Sequence, residues 1–323
     1  MAESETVDRA AEPLRVAILG AGGVGGWYAG ELALAGHEVS LLARGDHLEA
    51  MRRDGLELRA SDGTRHVRPH VLTERVEELG RPELVIVAIK AYSMREIAGS
   101  AAKLAEGGAA ILPLLNGVDA AERLAELGVP RESLLGGLTM ISAAKVAPGV
   151  IERRSAFQRV AMGALGGGFG SPASWSARLD RFAAAMRSAA IETVVSARIH
   201  VDLWNKLAFL ATLAAACGLS RSPIGTVRTA PLGALLLERA VREIVDVAEA
   251  RGVSLGADAA DRTLAAIAAL PAAMRPSLLL DLERGGPTEI DVLSGAIARM
   301  GRERGIATPI HDTALAAIGA ATA

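Results

Sequence analysis

Aromatic residues are scarce in this chain: three Trp, two Tyr and four Phe among 323 residues. Alanine and leucine carry much of the apolar half of the composition, a mix that favours helices and still supplies a large core. Cysteine is scarcer still. The single Cys217 excludes an internal disulfide, fits a reducing compartment, and reads as a small buried filler near the end of a helix. An excess of one charge is missing too. The 35 Lys and Arg against 37 Asp and Glu leave a formal net charge of −2, without the basic footprint of a nucleic-acid binder. Long apolar runs are also lacking: Lys206, Pro113 and Pro271 interrupt the most hydrophobic segments before any reaches the roughly 18 residues of a membrane span. No span is expected, and a cytoplasmic protein fits. The six histidines are scattered without metal-ligand spacing, which argues against zinc. The opening thirteen residues, MAESETVDRAAEP, are polar and acidic, unlike a signal peptide, and are expected to form a disordered tail.

What is present is organised in two halves, and the length itself makes two domains the expectation. Residues 14–197 alternate strand-like and helix-like pieces. LRVAILG, HEVSLLAR, ELVIVAIK and GAAILPLL read as buried strands, with helices at WYAGELALAGH, Leu48–Arg53, Met94–Ala105 and Ala120–Leu127 between and after them. LELRA and HVRPHVL suit small strands around the turn Ser61-Asp62-Gly63. This alternation implies right-handed βαβ crossovers and a mainly parallel sheet. From about Ala177 the texture changes to long helical periods, so residues 198–323 are expected to form an all-helical domain. GALGGGFGSP (163–172) is expected to lack a helix immediately behind it and ends at Pro172, so it reads as a flexible surface loop rather than another phosphate site.

The run VAILGAGGVGG places five glycines in seven positions directly behind a strand. Gly20, Gly22 and Gly25 fit G-x-G-x-x-G in its proper setting, with a strand before, a helix after and a second strand about twenty residues on. The first glycine allows the tight turn, the second lets the backbone approach a pyrophosphate, and the third permits close helix–strand packing. Helix N–H groups, including those of Gly23 and Val24, then face the phosphate charge. The second strand ends at Arg44, where an NAD site usually carries an acid. A guanidinium there can pair with a 2′-phosphate, so NADPH is expected over NADH, with Asp46 two residues later as the opposing signal.

The ordered segments "ILGAGGVGG", "LLARGDHLEAMRRDGL", "VIVAIKAYS", "LLNGVDAAERL", "LWNKLAFLA" and "PSLLLDLERGGPTEID" together resemble the ketopantoate reductases (2-dehydropantoate 2-reductases) from about Leu14 to near the C-terminus. The resemblance implies a Rossmann domain followed by a helical domain, with an active-site cleft between them. It also implies NADPH-dependent reduction of a 2-keto acid, in pantothenate biosynthesis for the typical member, and a homodimer formed through the helical region. It makes Lys206 the general acid and Glu289 its carboxylate partner. Ser277 and Asn116 become substrate-binding residues, with Asn116 also near the nicotinamide, and Lys90 a residue of the cofactor and substrate cleft.

The chemistry supports those roles. Hydride delivery to a ketone builds negative charge on oxygen, so a proton donor or cation must sit beside it. A lysine on the otherwise apolar helix LWNKLAFLA is the best donor available. Each residue also has a plain structural reading: Lys206 could snorkel to solvent, Glu289 could be a helix-start acid, Ser277 a cap after Pro276, and Asn116-Gly117 a turn.

The likeness breaks at one place. In the typical enzyme asparagines follow the lysine at plus four and plus eight, where this chain has Leu210 and Ala214. These offsets share the lysine's helix face, so an apolar wall is expected and a 2-keto acid less hydroxylated or bulkier than ketopantoate. Two other readings stay open. A β-hydroxyacid or 6-phosphogluconate-type dehydrogenase shares the plan, but its usual asparagine would stand at Leu210. A non-catalytic NADPH-binding protein would need neither Lys206 nor Glu289.

Overall fold

The computed structural model describes residues 12–169 and 172–322. The expected tail lies outside the described residues through Ala11, as do Gly170 and Ser171 of the glycine-rich loop and the terminal Ala323. Up to Pro113 the elements run β1 (Arg15–Leu19), α1 (Gly23–Leu34), β2 (Glu38–Leu42), α2 (Gly45–Asp54), β3 (Leu56–Ala60), β4 (Gly63–Val67), β5 (Val71–Thr73), β6 (Leu84–Val87), α3 (Met94–Glu106) and β7 (Ala110–Pro113). The mixed region continues with α4 (Ala120–Glu126), β8 (Gly136–Met140), β9 (Ala143–Ala147), β10 (Val150–Arg153), β11 (Arg159–Gly163), α5 (Pro172–Ser188) and β12 (Glu192–Val195). From there the described elements are helical: α6 (Ile199–Ser220), α7 (Ile224–Thr229), α8 (Gly233–Ala250), α9 (Ala259–Ala268), α10 (Ser277–Glu283), α11 (Ser294–Arg304) and α12 (Pro309–Ala320), with short 3₁₀ turns between some of them.

The five buried strands β5-β2-β1-β6-β7 form one wholly parallel sheet, with Val16 in register with both Val39 and Leu84. Strands β1 and β6, both four-residue apolar runs at their buried positions, lie at its centre. The chain leaves β1 in one direction across the sheet and returns to β6 on the other side. That reversal opens a crevice at the strands' carboxyl ends, the usual ligand position in such a sheet. The glycine run follows β1, Arg44 follows β2, Lys90 follows β6 and Asn116 follows β7, so the fold gathers them along one edge.

The expectation of a mainly parallel sheet holds for these strands and stops there. Strands β4-β3-β10-β9 build a second, mixed sheet, and β12-β11-β8 a third. The hairpin β9–β10 turns at Gly149, whose φ of +76° favours glycine. Exposed β9 residues gave the sequence no buried alternation to read. Helix α5 begins at Pro172, directly behind the glycine-rich loop where no helix was expected, and packs Trp175, Leu179, Phe182 and Met186 into the core of the first unit.

Helix α1 lies between the first two sheets, and this explains the density of glycine. A Cβ on Gly25 would overlap the Gly20 carbonyl, one on Gly23 the Ala143 carbonyl of β9, and one on Gly26 would come within 2.9 Å of Ile151. Phosphate chemistry asks for three of these glycines; the tight seat of α1 asks for the others.

Helix α6 is the spine of the second unit. Its alanines Ala211, Ala214, Ala215 and Ala216 are 0–1% exposed and let α8, α10 and α12 approach closely. By length and composition alone α6 could cross a membrane, but here its apolar surface is consumed by the helical core. Its first turn reaches back: Ile199 and Leu203 pack in the core of the first unit with Val292.

Candidate active site

The centre of the site is a buried carboxylate. Glu289 is 6% exposed and precedes the 3₁₀ turn Ile290–Val292 that leads into α11. Its Oε2 accepts from Lys90 Nζ at 3.2 Å and from Asn116 Nδ2 at 3.1 Å, and its Oε1 accepts from the Ala91 N–H at 3.2 Å. All three donors come from the strand ends of the first unit, so one carboxylate from the helical unit is satisfied across the cleft.

Lys90 carries a second carboxylate, Asp281 Oδ2 on α10, at 3.0 Å. Burial opposes its charge, but Glu289 and Asp281 together outweigh burial and raise its pKa. Lys90 is therefore an ammonium at neutral pH. Two of its three N–H bonds are engaged, which leaves one.

Lys206, on α6, is in a different state. Burial lowers its pKa to about 8, with the Glu289 charge pulling the other way. Among the described residues it donates no hydrogen bond and forms no ion pair within 4.0 Å, although its side chain retains some solvent access. The direct Lys206–Glu289 pair that the resemblance implies is thus corrected. Glu289 is held by Lys90, Asn116 and the Ala91 amide, and Lys206 feels it through space. An amine with a pKa near 8 and no protein acceptor can hold a proton at neutral pH and give it up cheaply.

Ser277 is the first residue of α10 and is exposed, and its hydroxyl makes no hydrogen bond among the described residues. Asp281 lies one helical turn further on and does reach Lys90. Sequence reasoning missed Asp281, although the four-residue spacing from Ser277 placed both on one face of α10. The expected apolar wall is also only half present. Leu210 is partly exposed, whereas Ala214 is 1% exposed and belongs to the core of the helical unit with Ile244 and Val247.

At the other end of the edge, Gly20 makes the turn out of β1 with φ +108°, and a Cβ there would lie 2.6 Å from the Ala88 carbonyl. Gly22 caps α1 and is exposed, with nothing within 4 Å of where its Cβ would be. A tight turn, an open approach and a helix N-terminus are the three things a dinucleotide pyrophosphate needs. Arg44, 80% exposed in its side chain, pairs among the described residues only with exposed Glu96 at 2.9 Å, an interaction weak enough to exchange for a phosphate. Asp46 sits in the first turn of α2, where a carboxylate complements the helix dipole.

A separate groove of about 1120 Å³ lies across α6 from Lys206, lined by Val118, Trp204 and Met300 and by the ion pairs Asp119–Arg299 and Glu303–Arg251. It contains none of the clustered residues.

The fold joins a Rossmann-type α/β half to a helical half, with Glu289 of the second held by Lys90 and Asn116 of the first. Residues 16–167 match the family described as ketopantoate reductase PanE/ApbA, and residues 198–322 match its C-terminal partner, ketopantoate reductase PanE/ApbA C terminal. The 2-dehydropantoate 2-reductase of Halobacterium salinarum is 34% identical over 302 residues, covering 93% of this chain and 96% of the relative. Among solved structures, a PanE/ApbA family ketopantoate reductase from Ralstonia eutropha JMP134 superposes with a TM-score of 0.83 at 27% identity, covering 95% of this chain and 98% of the other. A D-mandelate dehydrogenase solved with NADH and anilino(oxo)acetate shares the fold at a TM-score of 0.84 and 23% identity, with 95% and 98% covered. The chain belongs to the ketopantoate reductase family, and is an oxidoreductase acting on a keto acid.

Proposed function

We propose that this chain reduces a 2-keto acid to the 2-hydroxy acid with NADPH, Lys206 being the general acid. The observation that carries this reading is the state of Lys206: an amine without a protein acceptor, its pKa brought to about 8 by burial, beside a cleft that holds a fixed carboxylate. When bound, the reduced nicotinamide supplies the hydride. Gly20, Gly22, Gly23, Val24 and Gly25 would hold its diphosphate and Arg44 its 2′-phosphate.

Within the cleft, Glu289 keeps Lys90 and Asn116 in place. The unused N–H of Lys90 is available to the substrate carboxylate, and Ser277 at the cleft rim to a further polar group. As the carbonyl carbon accepts the hydride, the Lys206 ammonium transfers one proton to the oxygen. The hydroxyl product is neutral at that atom, and the amine regains its proton from solvent. Glu289 favours the ammonium before transfer, which opposes part of the burial penalty.

Leu210, partly exposed one turn from Lys206, supports a substrate less hydroxylated or bulkier than ketopantoate, since an apolar wall gives a hydroxyl no partner. The reaction is assigned to the cytoplasm. A homodimer through the helical unit is part of the same reading, and Leu232, 76% exposed at the start of α8, supports it.

The test is the loss of NADPH absorbance by purified protein across a panel of 2-keto acids, repeated with NADH. Turnover of an apolar 2-keto acid with NADPH preferred is expected. Absence of turnover on every 2-keto acid with either cofactor overturns the reading. A kcat/KM of ~10⁶ M⁻¹ s⁻¹ or more on 2-dehydropantoate overturns its substrate part.

A further inference from the structure

His47 lies in the first turn of α2 and is 7% exposed. The Gly149 N–H, at the turn of the β9–β10 hairpin, points at its Nδ1 from 2.8 Å. Nδ1 is therefore an acceptor, and the imidazole proton resides on Nε2, which donates to the Ala21 carbonyl at 2.8 Å. Burial favours this neutral ring most strongly, the Ala21 carbonyl opposes it less strongly, and the nearby Lys145 adds a smaller effect in the same direction as burial.

Ala21 is the residue between the first two glycines of the motif. Its carbonyl and the Gly22 N–H belong to one peptide plane, and every described peptide is trans. In a trans peptide the carbonyl and the N–H point in opposite directions. Anchoring the Ala21 carbonyl on the imidazole thus turns the Gly22 N–H to the far side of the loop. The Gly22 N–H donates to no described residue, and nothing lies within 4 Å of where a Gly22 Cβ would be. An Ala–Gly peptide without a hold can flip at small cost, because glycine accepts either sign of φ. Flipped, it would present a carbonyl oxygen to an incoming phosphate.

We infer that His47 is a positioning residue of the nucleotide site, holding the Ala21–Gly22 peptide from behind so that its N–H faces the diphosphate. This rests on the dinucleotide reading above. The two bonds of His47 can be separated by substitution, since a glutamine amide reaches the position of Nε2 and an asparagine amide that of Nδ1.

The experiment measures NADP⁺ and NAD⁺ dissociation constants by calorimetry for wild type, His47→Gln and His47→Asn, with thermal melts to verify folding. His47→Gln keeps the donor to Ala21 and is expected to bind NADP⁺ within about threefold of wild type. His47→Asn keeps only the Gly149 contact and is expected to bind about tenfold more weakly, the equivalent of one neutral hydrogen bond. Equal affinities, or equal losses in both variants, overturn the inference, since a merely structural role would not distinguish them. If His47→Asn does not fold, a His47→Gln loss beyond threefold overturns it and a smaller one supports it. The imidazole ¹⁵N spectrum of wild type decides without a variant: an Nε2–H tautomer whose proton resonance shifts on adding NADP⁺ supports the role, and an Nδ1–H tautomer or an unmoved resonance overturns it. Wild type that binds neither dinucleotide instead overturns the underlying reading.

Discussion

Lys90 and Glu289 stand 199 positions apart in the chain and meet across the cleft at 3.2 Å. One follows a central strand of the parallel sheet and the other leads into a helix of the second unit. Their contact, reinforced by Asn116 and the Ala91 amide, sets the spacing of the two halves where Lys206 enters. Each partner satisfies the other's burial, so the pair positions as well as binds.

Replacing Lys206 by alanine removes the proposed proton donor and leaves the nucleotide edge intact. The expected loss in kcat is ~10²–10⁴-fold with NADP⁺ affinity nearly unchanged, measured by steady-state turnover and calorimetry. A wild-type kcat would remove Lys206 from the mechanism.

The pH profile carries a sign. With Lys206 as the proposed general acid, reduction needs the ammonium form, which is populated below a pKa of about 8. The kcat/KM for keto-acid reduction is therefore flat below that value and falls about tenfold per pH unit above it. Glu289→Gln removes the charge that favours the ammonium, so the falling limb moves to lower pH. A limb that stays in place would show that the two groups do not interact.

Leu210→Asn places an amide one turn from Lys206 on the cleft wall. The ratio of kcat/KM for a hydroxylated over an apolar 2-keto acid is expected to rise ~10–100-fold. Competition assays with the two substrates measure it. An unchanged ratio would mean that the wall at 210 does not see the substrate.

His311, fully buried, donates from Nε2 to the Ala240 carbonyl and receives the Ser294 hydroxyl at Nδ1, linking α8, α11 and α12. Burial drives its pKa down to about 4. Between its ordinary value and about 4, the unfolded chain takes a proton and the folded chain does not. The associated stability is complete above pH ~6.5 and declines as pH falls, by about 3 kcal/mol once both states are protonated. Urea titrations from pH 7 to 4 should show this slope, and a folded His311→Gln variant should lack its share of it.

Much of the nucleotide half was legible because its signals are local. Buried strands announce themselves as short apolar runs, and the glycine spacing states the turn that follows β1. The strands from β8 to β11 were not legible: exposed β9 has no apolar alternation, and β8 and β11, though mostly buried, are short runs carrying two glycines and one glycine, which do not read as strands. Ala214 misled for a related reason: helical periodicity places it on the face of Lys206, but only the neighbouring helices determine that this stretch of the face is closed over.

The sequence by itself determined the class of fold and the strand–turn–helix order around the glycine run, and it singled out the lysine proposed here as proton donor, because each depends on residues within one or two turns of one another. Tertiary structure decided which groups touch. It joined Glu289 to Lys90 rather than to Lys206, brought in Asp281, and set His47 behind the glycine turn. Partners far apart in the chain are chosen by how helices and sheets pack, and packing is a property of the whole core that no local spacing encodes.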